Sequence, residues 1–377
     1  MIFELLQIAI GKRDRLSHTP IMEEWRGLFA DSQKQSVVGI AFAGVERLPK
    51  EQWPPQALLF EWIGAAERIK QKNALLDRQC VKLQKRFAEA GIKTSILKGQ
   101  GVARYYDVSS LRQPGDIDIY VDCGRERLFE IVDSIEFRGE RQSDDKNRNS
   151  LIRDWDYKHL HLDVFRDTEV EVHYRVEVLL NLWKNRKLQK WFAAHTEEIF
   201  GLTDSAKVTD KTDSVTFVTP TVEFNRFYIL LHIYRHFLYE GVGLRQLLDY
   251  YFVLLHTDCT DNTDDIKALK QFGMWKFARG VMWILQEVFG LEREYMFCEP
   301  LESEGRFILS EVMAGGNFGH HDERLATEKK GKMQTVKKVV KHNAHLMLHY
   351  PAEIIWPPIW FVWHKCWKWS HMKDIKN

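Results

Sequence analysis

The sequence predicts an α+β fold in which a small mixed sheet with packed helices is flanked by helical regions on both sides. Residues 1–91 carry helical periodicity, residues 92–180 alternate short β-rich runs with short helices, and residues 181–377 return to helical patterns. A chain of 377 residues is long enough for two or three domains. The three ranges are therefore the predicted domains: an N-terminal helical region, an α/β core and a C-terminal helical domain.

The clearest helix of the first region runs from Trp62 towards Gly91. Its apolar residues recur at spacings of three and four, which is typical of a helix with one buried face. Gly91 provides a C-terminal stop. The residues of this stripe are Trp62, Ala66, Ile69, Leu76, Cys80, Leu83 and Phe87.

The middle region predicts strands and helices in alternation. A β-rich run, "IKTSILKG", is followed by a brief helix, a loop, the strand "DIDIYVD" and the helix "RERLFEIVDSI". Two further alternating runs, "KHLHLDVF" and "EVEVHYRV", are separated by only three residues. This spacing predicts an antiparallel hairpin.

The C-terminal region is predicted to be mostly helical. A threonine in "TPTVEF" is a suitable N-cap for the first long helix. Breaks are expected at the Tyr-Pro and Pro-Pro steps near residues 350 and 357. The tryptophans that follow indicate either core positions or a surface for a partner protein.

Composition favours a cytoplasmic protein. The five cysteines are widely spaced, and their number is odd, which fits reduced thiols. The first residues lack the basic leader of a signal peptide. The most apolar run, residues 354–363, is too short to cross a bilayer, so no membrane insertion is expected. A formal net charge of +1 argues against a nucleic-acid partner.

Two aspartates in the strand "DIDIYVD" are the first candidates for chemistry. Side chains alternate across a strand, so Asp116 and Asp118 share one face while Ile117 and Ile119 share the other. Aspartate is disfavoured in strands and needs either solvent or a counter-ion. The pair therefore indicates either a solvated edge strand or a two-carboxylate platform for a divalent cation.

A third oxygen ligand is available from the predicted hairpin. Glu171 lies in the second hairpin strand and Asp163 in the first, and both remain candidates. Hard cations such as Mg²⁺ bind several carboxylates, and three converging carboxylates repel one another without a cation. The pattern therefore indicates a magnesium site if one of these strands lies beside the aspartate strand.

Upstream, the segment "LKGQG" places Lys98, Gly99 and Gly101 at the end of a strand and the start of a helix. Glycine lets a backbone approach a ligand closely, and a helix start offers N–H groups to phosphate. A Gly-x-Gly pattern alone is common in turns. Its combination with Arg112 and the Asp-x-Asp strand is more specific.

These residues carry a family resemblance. The segment "LKGQGVARYYDVSSLRQPGDIDIYV" resembles the signature of bacterial nucleotidyltransferase-family proteins in the DNA polymerase β-like superfamily. It is most similar to the branch with an "LKG…R…DIDLLV" core. By this resemblance Asp116 and Asp118 hold metal, Glu171 takes the third acidic position, and Gly99 with Gln100 forms the phosphate-binding turn.

The resemblance implies a chemistry. Two Mg²⁺ ions would hold an NTP, such as ATP, while a nucleotidyl group passes to an unidentified small molecule or protein and pyrophosphate leaves. Lys98 or Arg112 would offset the charge of the leaving group, and backbone N–H groups from Gly99 to Gly101 would bind phosphates. The usual turn is Gly-Gly or Gly-Ser, and the departure here leaves one alternative open. That alternative is a non-catalytic nucleotide-binding or protein-interaction module that retains the fold.

Four further residues are candidates for a cleft wall. His232 and His236 share a helix face and are either cleft residues or buried hydrogen-bonded histidines. Arg245 and Asp249 are also four residues apart and form either an ion pair or a contact to the acceptor or nucleotide.

Overall fold

The computed structural model describes residues 1–134, 151–201, 216–258, 263–317 and 346–371. The chain forms two compact units, each built from three segments. The first unit comprises residues 1–73, 105–113 and 225–354, and the second comprises residues 74–104, 114–224 and 355–377. Each of the three ranges predicted from the sequence therefore contributes to both units.

Apart from one additional strand, the helices and strands follow in the predicted order. The helices are α1 (Ile2–Ala9), α2 (Met22–Lys34), α3 (Val38–Arg47), α4 (Gln56–Glu89), α5 (Gln100–Ala103), α6 (Arg125–Asp133), α7 (Leu182–Ala194), α8 (Thr196–Ile199), α9 (Val222–Tyr239), α10 (Leu244–Leu255), α11 (Thr263–Phe272), α12 (Trp275–Phe289), α13 (Glu302–Gly315), α14 (Pro351–Ile354) and α15 (Trp356–His371). The strands are β1 (Thr94–Ile96), β2 (Ile117–Val121), β3 (Ile152–Trp155), β4 (His159–Phe165) and β5 (Thr168–His173). The α+β class predicted from the sequence is confirmed.

The long helix α4 confirms the apolar stripe predicted for it. All seven stripe residues are buried. Gly91 has a φ of +75°, a left-handed conformation that glycine adopts at little cost, and the helix ends just before it. Leu76, Cys80, Leu83 and Phe87 belong to the core of the second unit.

The second unit contains a mixed sheet with the strand order β1-β2-β5-β4-β3 among the described residues. Strand β2 pairs in parallel with β5, while the β1–β2, β4–β5 and β3–β4 pairs are antiparallel. The predicted hairpin of β4 and β5 is confirmed. Ile117, Ile119 and Val121 lie in the core with apolar residues of α4 and α6, so the opposite face of β2 carries the aspartates.

Strand β3 was not predicted. Its two central residues, Arg153 and Asp154, are exposed, and its register with β4 shifts at this point. The sequence therefore lacks the alternation of a half-buried strand here. Pairing with β4 makes this segment a strand despite its polar pattern.

The described residues of the C-terminal region are mostly helical, as predicted. Thr221 caps α9, because the Phe224 N–H donates to the Thr221 hydroxyl oxygen at 3.1 Å. Pro357 and Pro358 lie in the first turn of α15, where backbone N–H groups have no acceptor within the helix, so both prolines are tolerated.

The described helices include none that combines the length and apolarity required to cross a membrane. Among the cysteines, Cys80, Cys123, Cys298 and Cys366 are free thiols, and Cys259 lies outside the described residues.

Replacing Gly39 by alanine is expected to destabilise the first unit by about 2 kcal/mol or more. A Cβ atom at Gly39, in α3, would lie 2.1 Å from the carbonyl oxygen of Leu111, which is a backbone atom and cannot rotate away. Gly27→Ala in α2 is the matched control, since a Cβ there has no neighbour within 4 Å. Alanine favours a helix interior by about 0.5–1 kcal/mol, so urea unfolding should show opposite shifts for the two variants. Equal shifts would contradict this packing.

Candidate functional site

The polar face of the sheet brings together side chains from three adjacent strands. Asp118 in β2 lies opposite Glu171 in β5, and Glu171 lies opposite His161 in β4. Two residues further along β5, His173 lies opposite both Tyr120 and His159. Because alternate side chains point to one face, the aspartate, the glutamate and the histidines lie on one surface.

Three carboxylates converge on this surface, near the first residues of β2. Asp116, Asp118 and Glu171 each offer an oxygen atom, and these atoms lie within 4.8 Å of one another. Strand β2 lies between β1 and β5, and Asp118 is only 2% exposed. The alternative of a solvated edge strand is therefore wrong.

The competing acid, Asp163, belongs to β4. That strand is two positions from β2 in the sheet, a separation of roughly 10 Å. The Asp163 carboxylate lies 3.9 Å from Arg153 of β3. The strand order thus brings Glu171, and not Asp163, beside the aspartate pair.

Two basic groups lie against the carboxylates. Lys98 Nζ lies 2.9 Å from Asp118 Oδ1. His173 Nε2 lies 3.0 Å from the same oxygen and 3.3 Å from Glu171 Oε2, so one ring nitrogen bridges two carboxylates. His173 is fully buried. Sequence reasoning assigned His173 no role, although strand alternation placed it on the Glu171 face.

The electrostatics of the cluster are those of crowded, buried negative charge. The charge of Asp118, with burial, raises the pKa of Asp116 to about 6. Burial opposes ionisation of Asp118, but the Lys98 charge and the His173 hydrogen bond outweigh it and lower the pKa of Asp118. Burial also opposes ionisation of Glu171, yet the hydrogen bond from His173 and the Lys98 charge lower its pKa. The cluster therefore retains negative charge that a bound cation would neutralise.

A second set of ligand atoms overlaps the first. His159, Glu171 and His173 also offer atoms within 4.8 Å of one another. Burial and the neighbouring His173 lower the pKa of His159 to about 3, so its ring stays neutral, the form that ligates metals. Carboxylates suit Mg²⁺ while imidazoles suit transition metals, so the donor set of the three acids fits Mg²⁺ and the histidine set fits a softer ion.

The glycine turn lies next to the aspartates. Gly99 has a φ of +58°, and a Cβ atom there would lie 3.4 Å from the Asp116 carbonyl oxygen. A Cβ at Gly101 would lie 2.5 Å from the carbonyl oxygen of Ile96, so Gly101 is required by packing against β1. The Gly101 N–H donates to the Lys98 carbonyl at 3.0 Å, and the buried Gln100 side chain donates to Asp77. The turn thus has both a tight conformation and internal hydrogen bonds.

A family model described as "uncharacterised nucleotidyltransferase" matches residues 22–290. The chain belongs to this nucleotidyltransferase family. The match spans both the carboxylate cluster and most of the helices of the first unit. No curated protein and no solved structure matches the chain.

Arg112 and Asp249 lie within the range matched by the nucleotidyltransferase family, and they contact each other in the first unit. Arg112 is buried and donates from Nε and Nη2 to the two carboxylate oxygens of Asp249, each at 2.7 Å. The Tyr106 hydroxyl donates to Asp249 Oδ1 at 2.7 Å. These contacts are those of a buried ion pair. The sequence offered Arg112 as a phosphate ligand and Asp249 as either an ion-pair partner of Arg245 or a ligand contact.

The other cleft candidates also lie in the first unit. His232 and His236 are buried on α9, with ring centroids 4.2 Å apart, and His236 Nδ1 lies 2.7 Å from Glu240. Arg245, in α10, donates to the carbonyl of Gln113 at 3.3 Å. The assignment of these three residues to a cleft stays a prediction.

Proposed function

We propose that this protein transfers a nucleoside monophosphate group from an NTP, such as ATP, to an acceptor in a Mg²⁺-dependent reaction that releases pyrophosphate. The acceptor is a small molecule or a protein side chain. The convergence of Asp116, Asp118 and Glu171 on one partly buried face of the sheet carries this proposal. Membership of the nucleotidyltransferase family supports the reaction class.

The proposal gives the residues of the cluster two roles. Asp116, Asp118 and Glu171 are the metal ligands, and His173 is a positioning residue that holds two of these carboxylates. When bound, two Mg²⁺ ions supply the positive charge that triphosphate chemistry requires.

The turn and the lysine serve the phosphates in this proposal. Gly99 and Gln100 form the backbone that the phosphates approach, while Gly101 keeps the turn packed against β1. Lys98 Nζ contacts the Asp118 carboxylate. If that carboxylate binds a metal ion instead, the ammonium group of Lys98 would offset the charge of the phosphates.

A second candidate is a non-catalytic nucleotide-binding module. The burial of the Gln100 side chain against Asp77 favours it, because that position supplies no hydroxyl of the kind found in a Gly-Ser turn. This candidate predicts nucleotide that co-purifies with the protein and no pyrophosphate release.

A thermal-shift screen of the four NTPs, with and without Mg²⁺, combined with a pyrophosphate assay, tests the function. A ligand at one hundred times its Kd stabilises the folded state by about 2.7 kcal/mol. Stabilisation that needs both NTP and Mg²⁺, together with pyrophosphate release, is expected. NTP binding without turnover over a broad set of acceptors would favour the non-catalytic module.

Glu171→Gln is expected to lower Mg²⁺-dependent turnover by roughly a hundredfold, because it removes a charged ligand from the cluster. Asp163→Asn is the matched control, as it also removes one strand carboxylate but lies two strands from Asp118. Pyrophosphate release by purified variants, at saturating NTP and several Mg²⁺ concentrations, gives the comparison. Loss of turnover in Asp163→Asn, with Glu171→Gln active, would reassign the third acid.

A further inference from the structure

A pocket of about 830 Å³ lies within the second unit, away from the carboxylate cluster. It is bordered by the start of α6, the segment between β3 and β4, the end of β5, and helices α7 and α15. Asp116, Asp118 and Glu171 do not line it. Small-molecule sites typically have volumes of about 300–1,000 Å³, so the pocket can accommodate a small metabolite.

The charges of the pocket are mostly positive. Among the described residues, Arg125, Arg175, Arg186 and Lys190 line it, and Glu126, which pairs with Arg125 at 2.8 Å, is the one carboxylate that does so. The N-cap of α6 is Gly124, which has no side chain to accept hydrogen bonds from the first turn of the helix. The pocket therefore offers the donors and the positive charge that an anion needs.

Aromatic rings line the same space. Two arginines are stacked on them: the guanidinium carbon of Arg175 lies 3.9 Å from the ring centroid of Tyr157, and that of Arg125 lies 5.5 Å from that of Trp367. A planar guanidinium stacks on aromatic faces, and Arg175 also donates from Nη1 to the Tyr157 carbonyl oxygen at 2.6 Å. Trp363 also lines the pocket and contacts Tyr157 edge to face. These rings add flat apolar surface to the cationic wall.

We propose that this pocket is a second ligand site, which binds a phosphorylated small molecule carrying a planar ring. The phosphate lies among the cationic side chains and the start of α6, and the ring packs on the aromatic wall. A nucleoside monophosphate has both groups and fits the volume. Binding here requires no divalent cation and is separate from the proposed transfer chemistry.

Isothermal titration in buffer containing EDTA tests the site, with AMP, ribose 5-phosphate and adenosine as probes. AMP should bind more tightly than either fragment, and added salt should weaken its binding. Lys190→Glu should weaken AMP binding about tenfold, because one attractive charge becomes repulsive. Lys187→Glu is the matched control, since Lys187 is an exposed lysine of the same helix that does not line the pocket.

Several outcomes would overturn the proposal: no AMP binding, equal effects of the two lysine variants, or ribose 5-phosphate binding as tightly as AMP. AMP binding that requires Mg²⁺ and disappears in Asp118→Asn would assign the ligand to the carboxylate cluster instead. AMP binding that survives in Asp118→Asn supports the second site, whether or not nucleotidyl transfer is detected. The two proposals can therefore fail independently.

Discussion

Asp118→Asn is expected to reduce Mg²⁺-dependent nucleotidyl transfer by about a thousandfold while leaving the protein folded. Asparagine has nearly the same size and shape as aspartate but lacks its charge. Asp118 lies in contact with Lys98 and His173 and within 4.8 Å of the other two carboxylates, so its charge is central to the cluster. Pyrophosphate release under saturating NTP and Mg²⁺ gives the measurement.

The melting temperature without metal distinguishes a catalytic ligand from a structural residue. Removing the charge of Asp118 relieves its repulsion with Asp116 but also weakens its contacts with Lys98 and His173. Because these effects oppose each other, we expect a melting temperature close to that of the wild type. A strongly destabilised metal-free variant that still binds Mg²⁺ and NTP normally would contradict the catalytic role.

Glu169→Gln is the matched control for Asp118→Asn. Glu169 lies in β5 on the same face as Glu171, but its side chain is 47% exposed and contacts Arg153 at the outer part of the sheet. The substitution also replaces one carboxylate by an amide. Turnover within about twofold of wild type is expected, since surface ion pairs contribute little.

Asp249→Ala is expected to destabilise the first unit by about 3–5 kcal/mol. The substitution leaves the Arg112 guanidinium buried without the carboxylate that it contacts through two hydrogen bonds. It also removes the acceptor of the Tyr106 hydroxyl. A loss of this size should lower the melting temperature by roughly 10 °C, which differential scanning calorimetry can measure.

Asp264→Ala is the surface control for this prediction. Asp264 lies in the same unit and pairs with Lys267 at 3.0 Å, but its side chain is 93% exposed. Its loss should cost less than about 1 kcal/mol. A double variant, Arg112→Met with Asp249→Leu, should recover part of the lost stability because no buried charge remains. If Asp249→Ala melts like Asp264→Ala, the ion pair contributes little to stability, and Arg112 can serve a ligand as the sequence suggested.

Local patterns in the sequence determined much of the fold and part of the candidate site. Alternation in "DIDIYVD" put Asp116 and Asp118 on one face, and the short spacing after β4 predicted the hairpin that carries Glu171. Helical periodicity predicted the buried stripe of α4. These features depend on the period of a helix or strand, so neighbouring residues are enough to reveal them.

The pairing of strands and helices could be read only from the folded chain. The parallel pairing of β2 with β5 selected Glu171 over Asp163, and it placed the ring of His173 between two carboxylates. The contact between Arg112 and Asp249 joins residues 137 positions apart and turned two ligand candidates into an ion pair. A sequence pattern tells which face a side chain occupies but not which strand or helix lies opposite. That choice depends on packing the whole chain, because long-range pairing is favoured only when many apolar residues are buried together.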